Sequence, residues 1–229
     1  MADWKPTIGI VGAGAIGSYY GGRLAEHGQD VHFLLRSDYE AVRRNGLTVH
    51  SCNGDFTLEP GRIHVHNDPR HMPKADVVII TLKTTANDQY EQLVGPLVKD
   101  DTLVLTLQNG LGNEERLAEL FGKARVLGGL AFVCVNRMAP GVIHHLDYGL
   151  IRVGEFVEGR TGNAERISQL FNQNGLECNV LQSLWYGRWE KLVWNVPFNG
   201  LGAVLDMATD RLLSDRSGGE LVRRIMEEV

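Results

Sequence analysis

The chain has 229 residues, of which 43 % are apolar and 22 % charged, with a formal net charge of −5. That length accommodates one large domain, or one domain and part of a second. The acidic balance excludes general attraction to nucleic acid or to an anionic membrane, so any phosphate must be held by a local cluster of positive groups.

The first strand is expected over Thr7–Val11, and it enters the loop Gly12-Ala13-Gly14-Ala15-Ile16-Gly17. A helix over Ala15–His27 leaves that loop, with Gly28 as its stop. Strand, G-x-G-x-x-G and helix together point to a dinucleotide site. Gly12 permits the tight turn, Gly14 a close approach of backbone to pyrophosphate, and Gly17 close helix–strand packing. The helix N-terminus aims N–H groups and partial positive charge at the phosphates.

Val31–Leu35 reads as a buried parallel strand, followed by a helix that Ser37 or Asp38 can cap and that ends near Asn45-Gly46. Leu47–Glu59 alternates around Asn53-Gly54, a hairpin signal. A short strand is expected within Arg62–Asn67, a buried one over Ala75–Leu82 and a helix over Asp88–Val98. Thr102–Leu107 is the next strand and Glu114–Phe121 the next helix. Val126–Val135, Gly141–His145 and Leu150–Val153 read as three strands, Asn163–Asn174 as a helix and Leu176–Leu181 as a last strand. From Ser183 to Val229 the pattern is helical throughout, which predicts domains over 1–182 and 183–229. The alternation before Gln182 predicts an α/β fold: a Rossmann-type, doubly wound, mostly parallel sheet followed by a partial all-helical second domain.

Cys52, Cys134 and Cys178 are too far apart and too few for a disulfide framework or a Cys-rich metal site. His64 and His66 alternate with Ile63 and Val65 on an exposed strand face, and His144 and His145 point to opposite faces, so no metal is expected. No run approaches a membrane span or a signal peptide, and a cytoplasmic protein is expected.

In an open α/β sheet, ligands sit beyond the carboxyl ends of the strands. Gly12, Arg36, Lys83 and Gln108-Asn109-Gly110 each follow a predicted strand, which sends four sets of phosphate-compatible or hydrogen-bonding groups to one edge. Arg36 stands where an NAD site usually carries an acid for the ribose 2′-OH, and its planar fork suits a 2′-phosphate. NADP(H) is therefore expected over NAD(H). The competing reading leaves Arg36 in solvent and gives the ribose to Asp38. Asn109 can hydrogen-bond nicotinamide and substrate, and Lys83 can line the cleft.

In the long helix, Lys191, Asn195 and Asn199 recur at four-residue steps, within an arc of roughly 80°. Apolar and aromatic residues surround them, and a polar stripe in such a helix lines either a cavity or a wet face. Pro197 removes one helical bond near the stripe. Trp185 and Trp189, one turn apart, are expected to pack at a domain interface.

Taken with Thr81-Leu82-Lys83, Gln108 to Gly112, Pro140 to Ile143, and Trp189 to Leu192 with Asn195 and Asn199, the chain resembles the ketopantoate reductase family. The resemblance implies an NADP-dependent reductase in which Lys191 is the general acid and Asn195 and Asn199 hold a small 2-oxo acid. It also implies that Asn109 bridges cofactor and substrate and that Lys83 lines the cofactor cleft. The family's chain continues through further helices carrying a Ser and a Glu that contact substrate. No equivalents precede Val229, so a truncated helical domain is expected, with apolar surface covered by a partner chain, as in a homodimer. Reduction of 2-dehydropantoate to pantoate, in pantothenate biosynthesis, is the leading function. The alternatives are a reductase of another keto or hydroxy acid and a non-catalytic NADP(H) sensor.

Overall fold

The computed structural model describes residues 4–157, 159 and 161–229. They fall into two units, one ending at Gln182 and one spanning Ser183–Val229. In chain order the first unit contains β1 (Thr7–Val11), α1 (Ala15–Glu26), β2 (Asp30–Leu34), α2 (Tyr39–Asn45), β3 (Leu47–Ser51), β4 (Phe56–Leu58) and β5 (His64–His66). It continues with β6 (Val77–Ile80), α3 (Tyr90–Val94), β7 (Leu103–Thr106), α4 (Asn113–Phe121), β8 (Val126–Ala139), β9 (Val142–Glu155), α5 (Asn163–Gln173) and β10 (Cys178–Val180).

These strands form one sheet, ordered β4-β3-β9-β8-β7-β6-β1-β2-β5, with β10 paired to β9. Every neighbouring pair from β8 to β5 is parallel. The hairpins β3–β4 and β8–β9 are antiparallel. Strand sequences such as Val77-Val78-Ile79-Ile80 lack a polar alternation because both faces are covered. Val77 and Ile79 join Ile8, Ile10 and Leu105 under α1 and α5, against Tyr20, Leu24 and Phe171. Val78 and Ile80 join Val11 and Val104 on the other face, against Tyr90 and Val94 of α3 and Leu117 of α4. Each such fully buried side chain contributes about 1.5–3 kcal/mol.

Three expectations change. The segments Gly141–His145 and Leu150–Val153 belong to a single strand, β9, that pairs with β8 along its length. Register shifts at three points, and a positive φ of 63° at Tyr148, break the two-residue period and hide that continuity. The helix expected over Asp88–Val98 shrinks to the five residues of α3, with tight 3-10 turns on both sides. Pro96 has no N–H to extend it. Asp38 does occupy the N-cap position of α2, but its side chain makes no capping bond.

His145 is fully buried in β9, where its ring stacks on Tyr19 at 4.1 Å. Ser51 Oγ lies 2.9 Å from His145 Nδ1, and the carbonyls of Asp147 and Tyr148 take Nε2. Burial holds this imidazole below its ordinary pKa.

The second unit consists of α6 (Leu184–Leu205), α7 (Thr209–Ser214) and α8 (Arg216–Glu228). Phe198 of α6, Leu212 of α7 and Val222 of α8 form its core. The helix α6 runs through Pro197 without a break, and Ser183 Oγ caps it by accepting from the Tyr186 N–H. Among the described residues, no helix is long and apolar enough to cross a membrane.

Candidate active site

The glycine loop begins directly after Val11, the last residue of β1. Gly12 has φ +95°, and a Cβ there would lie 2.6 Å from the Leu82 backbone nitrogen, so only glycine fits. A Cβ on Gly17 would meet Thr81 Oγ1 and the Gly12 carbonyl. Thr81 Oγ1 donates to that carbonyl at 2.6 Å, which ties the loop to the end of β6. Gly14 differs from both. Its φ is −80°, and a Cβ would meet nothing of the protein closer than 3.9 Å. Packing therefore does not require glycine at 14, whereas close approach of a phosphate does.

Above the loop lies a cleft of about 530 Å³, within the usual range for ligand pockets. Gly12, Ala13 and Gly14 form its floor, Arg36, Ser37 and Asp38 one wall, and Lys83, Thr85 and Gln89 another. The strands β6, β1 and β2 are neighbours, so their carboxyl ends deliver Lys83, Gly12 and Arg36 side by side. Arg36 and Lys83 are exposed. Ala15, Ile16, Gly17 and Asn109 are not on the cleft wall: Ala15 opens α1, Ile16 packs against the core and Gly17 lies under the loop.

Asp38 sits in the same cleft but is committed elsewhere. Arg137 of β8 donates to both carboxylate oxygens, Nε to Oδ2 at 2.7 Å and Nη2 to Oδ1 at 2.6 Å, and Ser37 Oγ donates to Oδ1. Asp38 is buried, and the Arg137 guanidinium holds its carboxyl below the usual carboxylate range. The pair contributes stability at neutral pH that is lost as pH falls through this depressed pKa. Arg137 was not singled out from the sequence, because a contact between residues 99 apart leaves no local signal. Replacing Arg137 with Met is expected to cost about 1–2 kcal/mol of stability, given that this side chain is partly exposed. Affinity for any phosphorylated ligand of the cleft should also fall about tenfold, since a carboxylate freed of Arg137 then faces it. Denaturant midpoints and cofactor titration check both.

At the end of β7, Gln108 is buried and fully engaged. Tyr90 Oη and Thr106 Oγ1 donate to its Oε1, and its Nε2 donates to Asn87 Oδ1. Asn87 donates on to Asn113, and Asn113 donates to the Asn109 carbonyl at 3.0 Å. The network fixes the turn that carries Asn109, whose own side chain is exposed.

Within the second unit, Lys191, Asn195 and Asn199 all lie on α6, the first two half-buried and the third exposed. Burial pushes the Lys191 pKa down to about 8, and the charge of Arg188 one turn earlier adds to the shift. Arg188 is itself buried and was also missed from the sequence. Trp185 is exposed, with its ring 5.9 Å from that of Trp189.

Residues 8–158 match the family described as Ketopantoate reductase PanE/ApbA, and residues 183–229 match Ketopantoate reductase PanE/ApbA C terminal. A 2-dehydropantoate 2-reductase from Nostoc sp. is 48 % identical over 96 % of this chain and 70 % of its own length. One from Pyrococcus horikoshii is 35 % identical over 87 % of this chain and 64 % of its own. The crystal structure of 2-dehydropantoate 2-reductase from Geobacter metallireducens superposes with a TM-score of 0.93 at 52 % identity, covering 96 % of this chain and 73 % of that one.

Proposed function

The chain belongs to the ketopantoate reductase PanE/ApbA family, and from that membership we propose that it reduces 2-dehydropantoate to pantoate with NADPH, as a cytoplasmic step of pantothenate synthesis. The observation that carries the reading is Lys191, a half-buried lysine with a pKa near 8 in one stripe with Asn195 and Asn199.

The residues of the first unit fit a phosphorylated dinucleotide. Gly12, Ala13 and Gly14 would hold the pyrophosphate, and Gly14 leaves room that no protein atom takes. Arg36 would pair with the 2′-phosphate. The commitment of Asp38 to Arg137 supports this, because a carboxylate whose charge is neutralised by a two-point guanidinium pair repels a nearby 2′-phosphate less. Lys83 and Asn109 would complete the cofactor contacts.

Bound NADPH supplies the hydride that the ketone carbon accepts. The chain's own residues manage charge and position. As the C=O bond becomes C–O, negative charge grows on oxygen, and the Lys191 ammonium stabilises it and then gives up one proton to form the hydroxyl. The amides of Asn195 and Asn199, on the same helix as Lys191, would orient the 2-oxo acid by hydrogen bonds. The products are the 2-hydroxy acid and NADP+, with Lys191 restored by a solvent proton.

Loss of nicotinamide absorbance tests the assignment, with the protein offered ketopantoate and a panel of other 2-oxo acids. The highest kcat/KM is expected for ketopantoate with NADPH. NADPH binding without turnover of any of the acids would instead support a sensor.

A further inference from the structure

A second group of functional side chains lies away from the cleft, where β2 meets the edge strand β5. The parallel register pairs His32 with His64 and Leu34 with His66, and on the other side sets Thr7 opposite Asp30. Alternate residues of a strand share a face, which brings Asp30 and His32 together with His64 and His66. Asp30 Oδ1 lies 3.1 Å from His32 Nε2 and 4.0 Å from His64 Nε2. One donor atom from each of the three falls within 4.8 Å of the others. The His32 and His64 rings stack at 4.7 Å with 16° between their planes.

Two of these groups are also braced from behind. Thr7 Oγ1 donates to Asp30 Oδ2 at 2.9 Å, so Oδ1 is the oxygen turned toward the imidazoles. His32 Nδ1 lies 3.0 Å from His66 Nε2, so His32 presents Nε2 with its other nitrogen held. A ligating histidine typically has its second ring nitrogen bound in this way.

We propose that Asp30, His32 and His64 bind a divalent transition-metal ion of the zinc type, with His66 as the residue that positions His32. Two imidazoles and one carboxylate are the donor set that such ions take, whereas calcium and magnesium prefer all-oxygen sites. Tetrahedral zinc–ligand bonds of about 2.0–2.2 Å put donors roughly 3.5 Å apart, a spacing that Asp30 Oδ1 and His32 Nε2 at 3.1 Å can meet, while His64 Nε2, 4.0 Å from Asp30 Oδ1, must come closer. The exposed His64 side chain can supply that movement by rotation, while His32 is held. When Nε2 of neutral His32 binds the ion, its proton shifts to Nδ1. His32 then donates to His66 Nε2, and His66 carries its own proton on Nδ1. No net proton is lost from the pair. Water fills the remaining coordination position.

Thr7 and Asp30 are the first residues of β1 and β2, whereas the glycine loop follows the last residue of β1. The metal site therefore lies at the opposite strand ends from the dinucleotide cleft. Its effect would be to fasten the edge strand β5, which among the described residues pairs with β2 alone.

The test uses the tag-free full chain, stripped with a chelator and titrated with Zn2+ against a chromophoric competitor. Co2+ serves as a spectroscopic probe of coordination. We expect one equivalent of zinc and a Co2+ visible spectrum typical of nitrogen and oxygen ligation at low coordination number. His64→Ala and Asp30→Asn should each weaken zinc binding at least tenfold and abolish that spectrum, and His66→Ala should weaken binding by about tenfold. Unchanged NADPH affinity in each variant establishes that it is folded, and His64→Gln replaces His64→Ala if it is not. Absence of stoichiometric zinc in the parent chain overturns the proposal, as does equal affinity in parent and variants.

Discussion

Replacing Lys191 with alanine is expected to lower kcat for ketopantoate reduction by about 10²–10⁴-fold, while NADPH affinity stays within about twofold. The loss is large because the ammonium serves twice. In the proposed role it would face the charge that develops on the carbonyl oxygen and supply the proton that quenches that charge. Burial and the Arg188 charge bring its pKa to about 8, nearer to neutrality than a lysine in water. The pH dependence has a definite sign. Reduction needs the protonated lysine, so kcat should be flat below about pH 8 and fall tenfold per pH unit above it. The K191A variant should lose that break. A break in the same place without the lysine would assign the proton to another group, and weakened NADPH binding would move Lys191 out of the catalytic role. Steady-state kinetics across pH, with cofactor titration by fluorescence, separates these cases.

The second large effect is expected at Arg36. On the proposed reading, substitution with Glu would remove a charge-assisted pair with the 2′-phosphate and set a like charge against it. A loss of about 2–3 kcal/mol corresponds to a rise in the KM for NADPH of about 30- to 160-fold. The KM for NADH, which has no phosphate at that position, should change by less than about threefold. The contrast between the two cofactors is the informative readout, since a merely disordered loop would weaken both. Equal loss for NADPH and NADH would remove Arg36 from the phosphate site and return the ribose to another side chain.

Much of the first unit was legible because its signals are local. A run such as Ile8–Val11 entering a glycine turn states both a strand and its end. The ends of β1, β2, β6 and β7 then followed from where apolar runs stop, and with them the positions of Gly12, Arg36, Lys83 and Asn109. What escaped the sequence reading depends on distant pairing. The β8–β9 hairpin looked like three strands because its bulges interrupt the alternation. Arg137 looked like an ordinary exposed residue, and Asp38 like a helix cap, because the bond between them crosses 99 positions. The histidines of β5 were read alone on an exposed face, since nothing nearby in sequence announces that His32 would lie in register with His64. The α3 segment failed for a local reason: Gly95 and Pro96 follow directly, and their cost exceeds the helix preference of five residues.

The Asp38–Arg137 pair also bears on synthesis. A ribosome delivers the glycine loop and Arg36 about a hundred residues before it delivers Arg137. Until β8 arrives and closes onto the growing sheet, the nascent segment offers an incoming nucleotide an unneutralised aspartate beside its phosphate seat. On the proposed reading, cofactor capture would therefore come late in translation, with NADPH closing on a nearly finished unit.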